Sequence, residues 1–141
     1  MSEFIHEHRV RYRECDPMRI VYHTHYLDYF EVARTEALRA AGLVYKEMED
    51  GGIIMPVVDL SVRYHRSARY DDLLEIRTTM TLSPSGTRVQ FDYETRRKDE
   101  EALLVSAQVT LCFFDVARDR PVRAPEYVHQ IIARAGTQST A

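Results

Sequence analysis

Apolar residues return along this chain with two different periods, and the change of period marks the elements. Between Thr24 and Ala41 neither Gly nor Pro occurs, and Tyr26, Phe30, Ala33, Ala37 and Ala40 recur at spacings of three and four. This is one stripe of a helix, with Thr24 as the predicted N-cap and Gly42 as the predicted stop. At 1.5 Å per residue such a helix spans about 27 Å, long enough for it to be a central packing element. Elsewhere the period is two. Phe4 to Tyr12 alternates His6, His8, Val10 and Tyr12 on one side, and from Ile53 a second run places Ile54, Pro56, Val58, Leu60, Val62 and Tyr64 on one face, opposite Asp59, Ser61 and Arg63. Leu74 to Leu82, Val89 to Thr95 and Leu103 to Phe113 repeat the alternation, and each such run predicts a strand. Pro56 has no N–H and belongs at a strand start or an edge, whereas the long mixed run from Leu103 reads as a central strand.

Ser83 to Gly86 and the charged stretch Arg96 to Glu101 are turns; Pro125 to Ala133 reads as a short helix and Gly136 to Ala141 as a flexible tail. The order is thus strand, long helix, then four strands in succession. Strands segregated from the helix predict an antiparallel α+β domain, in which the sheet must curl around the helix to bury it. No repeat, linker or low-complexity stretch interrupts the chain, so residues 1–135 are read as one domain.

Composition narrows the function. A chain of 141 residues with 45% hydrophobic and 29% charged residues has the balance of a protein that folds on a packed core. A net charge of −3 gives no basic surplus for nucleic-acid binding. The N-terminus has no signal-peptide pattern and no run is long enough to cross a membrane, so no membrane insertion is expected. Cys15 and Cys112 show no metal-ligand spacing, and so sparse a pair suits a reducing compartment; the expected location is the cytoplasm.

The densest chemistry lies from Glu14 to Tyr26, a polar loop that ends at the start of the helix. The first N–H groups of a helix have no intrahelical partner and its dipole favours negative charge there, which makes an oxyanion site. Asp16, seven residues before His23, is a carboxylate able to fold back toward the same point. The plainer reading also stands: Asp16-Pro17 starts a turn, and His23 and His25 are ordinary loop histidines.

At these residues the sequence resembles a known family. The run Asp16-Pro-Met-Arg-Ile-Val-Tyr22-His23-Thr-His-Tyr26-Leu-Asp-Tyr-Phe30-Glu31-Val-Ala-Arg34-Thr-Glu36 is similar to the signature of the 4-hydroxybenzoyl-CoA thioesterase family, in particular its YbgC-like acyl-CoA thioesterase branch. The run from Val58 through Tyr64, Arg66 and Tyr70 to Asp72 resembles the same family's second-strand segment. The resemblance covers roughly residues 4 to 115. It implies a hotdog fold, a five-stranded antiparallel sheet wrapped around one long helix. It also implies hydrolysis of an acyl-CoA thioester, on CoA or an acyl-carrier protein, without a metal or redox cofactor. Asp16 would be the catalytic carboxylate and the His23 N–H would receive the thioester oxygen, with Tyr22, Tyr26, Tyr64 and Arg66 toward the substrate. A thiolate with pKa near ~8.5 leaves without much acid assistance, so a carboxylate acting as nucleophile or as base toward water is sufficient chemistry.

The chain departs from the family pattern at Met18 and Arg19, where small residues, often Gly, are usual, and at His25, where Asn is usual. Tyr64, Tyr70 and Arg66 are placed to line a route for the CoA arm, with Arg66 facing a phosphate; strand packing and a solvated charge account for the same residues equally well. His6-x-His8 puts two rings on one strand face, and His23-x-His25 adds two more nitrogens, but no Cys or carboxylate stands in ligand spacing, so no metal is expected. Glu31 with Arg34 and Glu36 with Arg39 read as helix-surface pairs. A non-catalytic acyl-CoA or acyl-carrier-protein binding module is the alternative in another class, and a dehydratase on the same fold a third. Finally, one such sheet leaves two edges unpaired. The resemblance implies a homodimer or homotetramer whose site lies at the junction, and Met55 to Val58 are apolar enough to form part of its wall.

Overall fold

The period-two segments pair into one antiparallel sheet. The structure, a computed structural model, describes residues 3–135; the expected tail over residues 136–141 lies outside the described residues. The strands are β1 (Phe4–Arg9), β3 (Val57–Tyr64), β4 (Leu73–Leu82), β5 (Arg88–Arg97) and β6 (Leu103–Cys112), in the spatial order β1-β4-β5-β6-β3. Between β1 and β3 run α1 (His25–Ala41), the short α2 (Tyr45–Asp50) and β2 (Ile53–Ile54). After β6, β7 (Phe114–Asp115) and β8 (Arg120–Pro121) form a small sheet with β2, and α3 (Glu126–Ala135) follows. The α+β class and the five-stranded antiparallel sheet are as expected.

Alternation does the sorting. Leu74, Ile76, Thr78 and Met80 of β4, Val89, Phe91, Tyr93 and Thr95 of β5, and Val105, Ala107, Val109 and Leu111 of β6 are all buried on one face. Against this core lie Tyr26, Tyr29, Phe30, Ala33, Ala37 and Leu38 of α1, with the Phe30 and Tyr93 rings stacked at 4.5 Å. Ala40, expected in the stripe, is exposed; Leu38 takes its place as the 3.6-residue period drifts. Gly42 ends α1 with φ +104, which lets Leu43 N–H reach back to the Leu38 carbonyl at 2.9 Å.

The remaining differences have local causes. β1 stops at Arg9, three residues before the expected end, because Val10 N–H bonds to the Asp72 carbonyl and the chain then enters a 3-10 turn at Tyr12–Glu14 that leaves Tyr12 80% exposed. The run from Ile53 is split at Pro56 into β2 and β3. β3 is an edge strand with a bulge between Val57 and Asp59, and its expected apolar face is largely open: Val58, Leu60 and Tyr64 are each 44–48% exposed, and Val57 beside them is exposed as well. Met55, by contrast, is buried in the chain's own core. β6 is interior, but the middle place belongs to β5. α3 buries Val128 and Ile132 in the core and packs on β4 and α1, so α1 shares the sheet with a second helix.

The order of strands decides where loops meet. Arg9 faces Leu73, Leu74 faces Arg97, Arg96 faces Leu103 and Val105 faces Tyr64 across successive pairs. The chain ends of β1 and β3 therefore emerge at the same end of the sheet, and the loops that follow them become neighbours. No helix of the described residues is long and apolar enough to cross a membrane.

Candidate active site

Two loops make the site, and hydrogen bonds close the seam between them. Val21 N–H donates to the Ala68 carbonyl at 2.9 Å, and Ala68 N–H donates to the Tyr26 hydroxyl at 3.3 Å. The second loop is braced from behind by Arg97, whose Nε bonds Asp72 Oδ2 at 2.8 Å and whose Nη2 bonds the Ser67 carbonyl at 2.8 Å.

Within the first loop, Asp16 organises a tight turn. Its N–H donates to the Ile20 carbonyl at 2.9 Å, its own carbonyl accepts from Arg19 N–H at 2.8 Å, and its Oδ1 accepts from Met18 N–H at 2.8 Å. Oδ2 has no protein donor among the described residues. Arg19 sits at φ +68, the left-handed region that costs a side chain of its kind on the order of 1 kcal/mol and costs Gly nothing. This explains why a small residue is usual at that position.

At the helix start, Thr24 occupies the N-cap position but is not a working cap: its backbone is already helical (φ −73, ψ −21) and its side chain makes no capping bond. His25 N–H reaches Tyr22 O and Leu27 N–H reaches Thr24 O, whereas His23 N–H has no backbone acceptor among the described residues. The His23 carbonyl accepts from the Tyr64 hydroxyl at 3.0 Å, which ties the end of β3 to the helix start.

Between the loops lies a cavity of about 250 Å³, and all six candidate residues line it: Asp16, Tyr22, His23, Tyr26, Tyr64 and Arg66. Its aromatic wall is continuous, with Tyr22 and His23 rings 4.6 Å apart, His23 and Tyr64 6.2 Å, and Tyr64 and Tyr26 5.7 Å. Met18, Ile20, Val21 and Ser67 complete the lining. Tyr70 does not take part; it lines a different hollow. Burial pushes the Cys15 thiol up, and the carboxylates of Glu14 and Asp16 push the same way, so this cysteine next to Asp16 stays a thiol at neutral pH and is no nucleophile.

Glu14, with no role predicted from the sequence, is the hub beneath the loop. Its Oε1 accepts from Arg11 N–H at 2.8 Å and from the Tyr29 hydroxyl at 2.8 Å, and lies 2.9 Å from His8 Nε2; its carbonyl accepts Tyr22 N–H at 3.0 Å. Burial acts to raise the Glu14 carboxyl, but the hydrogen bonds from Arg11, His8 and Tyr29 outweigh it and hold the group below its ordinary value. Burial and the charge of Glu14 push the Tyr29 phenol far up, which keeps it a donor. The only signal in the sequence was alternation that brings His8 inward and a helical period that includes Tyr29. Elsewhere, the expected Glu36–Arg39 pair is present at 3.5 Å, whereas Glu31 and Arg34 instead line a separate cleft with Tyr45 and Met55. Among the described residues no group of three or more His, Cys, Asp or Glu is placed to hold a metal.

The chain has known relatives. A model of the thioesterase-like superfamily matches residues 10–132, and the chain belongs to that family. It is 34% identical to the Escherichia coli acyl-CoA thioester hydrolase YbgC over 85% of this chain and 88% of that protein. A Haemophilus influenzae acyl-CoA thioesterase YbgC is 31% identical over 85% of this chain and 87% of its own length. Among solved structures, the DHNA-CoA thioesterase of Staphylococcus aureus superposes with a TM-score of 0.87 at 31% identity, covering 95% of this chain and 91% of that one. The fold is the hotdog fold of these thioesterases.

Because the Glu14 carboxyl sits below its ordinary value of 4.5 in the folded chain, its contacts add stability above that pH that is lost as pH falls through the folded value. Glu14→Gln should therefore be less stable than wild type by about 1–3 kcal/mol at neutral pH. The gap should start to narrow as pH falls below about 4.5 and close once pH is below the folded value. Urea unfolding at several pH values reads both; a gap that stays constant with pH would contradict this role.

Proposed function

We propose that this chain is an acyl-CoA thioesterase that hydrolyses R–CO–S–CoA to a free acid and CoA, with the cavity between the two loops as its active site. The observation that carries the reading is one cavity lined by the Asp16 carboxylate, His23 at the uncapped helix start, and a run of tyrosines. The thioester carbonyl oxygen lies toward the His23 N–H, where the helix dipole favours the negative charge that develops during attack. Asp16 acts from the other side. As nucleophile its carboxylate bonds the carbonyl carbon, the C–S bond breaks, CoA leaves as thiolate, and water then cleaves the anhydride; as base it takes a proton from the water that attacks instead. In both routes the acyl group departs as acid and one water is consumed. Tyr22, Tyr26, Tyr64 and Arg66 supply the walls, apolar enough for an acyl group yet with hydroxyls to orient it. The two free thiols fit action in the cytoplasm, a reducing compartment.

The working unit is a homodimer or a tetramer built from it. Support comes from β3, an edge strand whose Val57, Val58 and Leu60 are exposed and whose end carries Tyr64 into the cavity lining. A second chain along this edge would pair its free backbone groups, cover those side chains and add a wall beside the site.

Asp16→Asn keeps the Met18 N–H contact but removes the basic carboxylate, so thiol release from the best acyl-CoA substrate should fall about 10²–10⁴-fold with the fold intact. His23→Ala keeps the backbone donor and should retain most activity; a loss as deep as that of Asp16→Asn would put the imidazole in the mechanism. Wild type that binds acyl-CoA without releasing thiol would identify a binding module instead. Sedimentation at micromolar concentration should show a dimer or tetramer, and a stable, fully active monomer would overturn the shared-site model.

A further inference from the structure

Beside the active-site cavity the same two loops enclose a second, more open hollow of about 470 Å³. Arg9, Arg11 and Arg13 line it, together with the rings of Tyr12 and Tyr70. Among the described residues none of these three arginines has a carboxylate within ion-pair distance, although the chain carries more acidic than basic residues. The nearest acids are engaged elsewhere or outnumbered. Glu14 is turned inward onto His8, Tyr29 and Arg11 N–H, and Asp72 is held by Arg97. Asp71 is the one carboxylate residue in the lining, and its backbone carbonyl accepts from Arg9 Nη1 at 2.9 Å, fixing that guanidinium at the rim.

The two tyrosines are unusual in another way. Tyr12 is 80% and Tyr70 56% exposed, and their rings meet edge to face at 5.5 Å and 86°. Large aromatic rings held against each other and left open to water form a platform on which a flat ring can stack. Guanidinium groups without carboxylates, set around such a platform, select an anion with an aromatic part, because Arg binds phosphate oxygens bidentately. The volume is ordinary for a small-ligand site.

The hollow's lining segments adjoin those of the catalytic cavity along the chain, which bears on which anion it takes. Tyr12 and Arg13 stand just before Asp16 in the first loop, and Tyr70 stands just after Arg66 and Ser67 in the second, so one pair of segments walls both hollows. We infer that the Arg9–Arg11–Arg13 and Tyr12–Tyr70 hollow binds the 3′-phosphoadenosine diphosphate end of CoA, while the pantetheine arm passes along the Arg66 side into the cavity. The inference rests on the thioesterase reading and adds to it a choice of carrier. Selectivity for CoA over an acyl-carrier protein follows, because a carrier protein has no adenine nucleotide to place there.

The test compares wild type with the Arg11→Ala/Arg13→Ala double variant on one acyl group carried by CoA, by N-acetylcysteamine and by an acyl-carrier protein, with 3′,5′-ADP as inhibitor. For acyl-CoA the variant's KM should rise about 10–100-fold with kcat nearly kept. The loss should be confined to the substrate that carries the nucleotide, and 3′,5′-ADP should compete with acyl-CoA in wild type but not in the variant. An unchanged KM for acyl-CoA, or an equal loss on all three carriers, would overturn the inference. Should wild type release thiol from none of them, the activity reading fails while calorimetry with CoA still tests the hollow: binding lost in the variant supports it, and equal binding overturns it.

Discussion

The site depends on a narrow seam centred on Ala68, whose carbonyl accepts from Val21 N–H at 2.9 Å and whose N–H donates to the Tyr26 hydroxyl at 3.3 Å. Topology makes this contact available, because β1 and β3 occupy opposite edges of the sheet yet end at the same end of it. The chain must cross the sheet between them, and α1 is that crossing. Its first turn is thereby delivered beside the loop that follows β3. Ala68 is fully buried, so a missing partner for its backbone groups would carry the whole desolvation cost. With the seam closed, the remaining hollow is lined from both loops, by Asp16 to His23 on one side and by Tyr64, Arg66 and Ser67 on the other.

Two carboxylates stand two residues apart in this loop and have opposite fates. Glu14 points inward and is satisfied by Arg11 N–H, the Tyr29 hydroxyl and His8, so its charge is spent on holding the loop to β1 and α1. Asp16 lines the cavity, and among the described residues its carboxylate accepts one bond, from Met18 N–H to Oδ1. The first is a structural anchor because it is compensated; the second is reactive in the proposed mechanism because it is not. The same division separates the arginines: Arg97 is consumed in bracing Asp72 and Ser67, while among the described residues Arg11 and Arg13 have no carboxylate within ion-pair distance.

Much of this was legible before any coordinates. The strands of the sheet follow from alternation, since β4 and β5 bury one row of side chains and leave the other partly or fully open, and β6 buries one row from Val105 to Leu111, with Leu104 and Cys112 of its other row buried as well. The six candidate residues share one cavity because the motif spans the loop and the helix start, which are sequence neighbours, and because Tyr64 and Arg66 lie at the end of β3. Less visible was whatever depends on distant partners. Val58 and Leu60 read as a buried face, because alternation alone does not tell which strand has a neighbour on one side only. β2, β7 and β8 are two residues long and have no period to detect. Glu14 looked like one acid among many, because its donors come from β1, the 3-10 turn and α1, which only folding brings together. Thr24 had the chemistry of a cap, yet its backbone is helical already, a fact of conformation and not of composition.

In the proposed mechanism a thioester carbonyl is received at the backbone N–H of His23, and amide NMR addresses that atom directly. Titrating the protein with an acyl-CoA analogue in which CH₂ replaces the thioester sulfur leaves a ketone that cannot be hydrolysed but keeps the carbonyl oxygen. The His23 amide proton should move downfield with saturation, together with amides of the Asp16 turn. Saturable binding that leaves the His23 amide in place, while resonances remote from the cavity shift, would contradict the account.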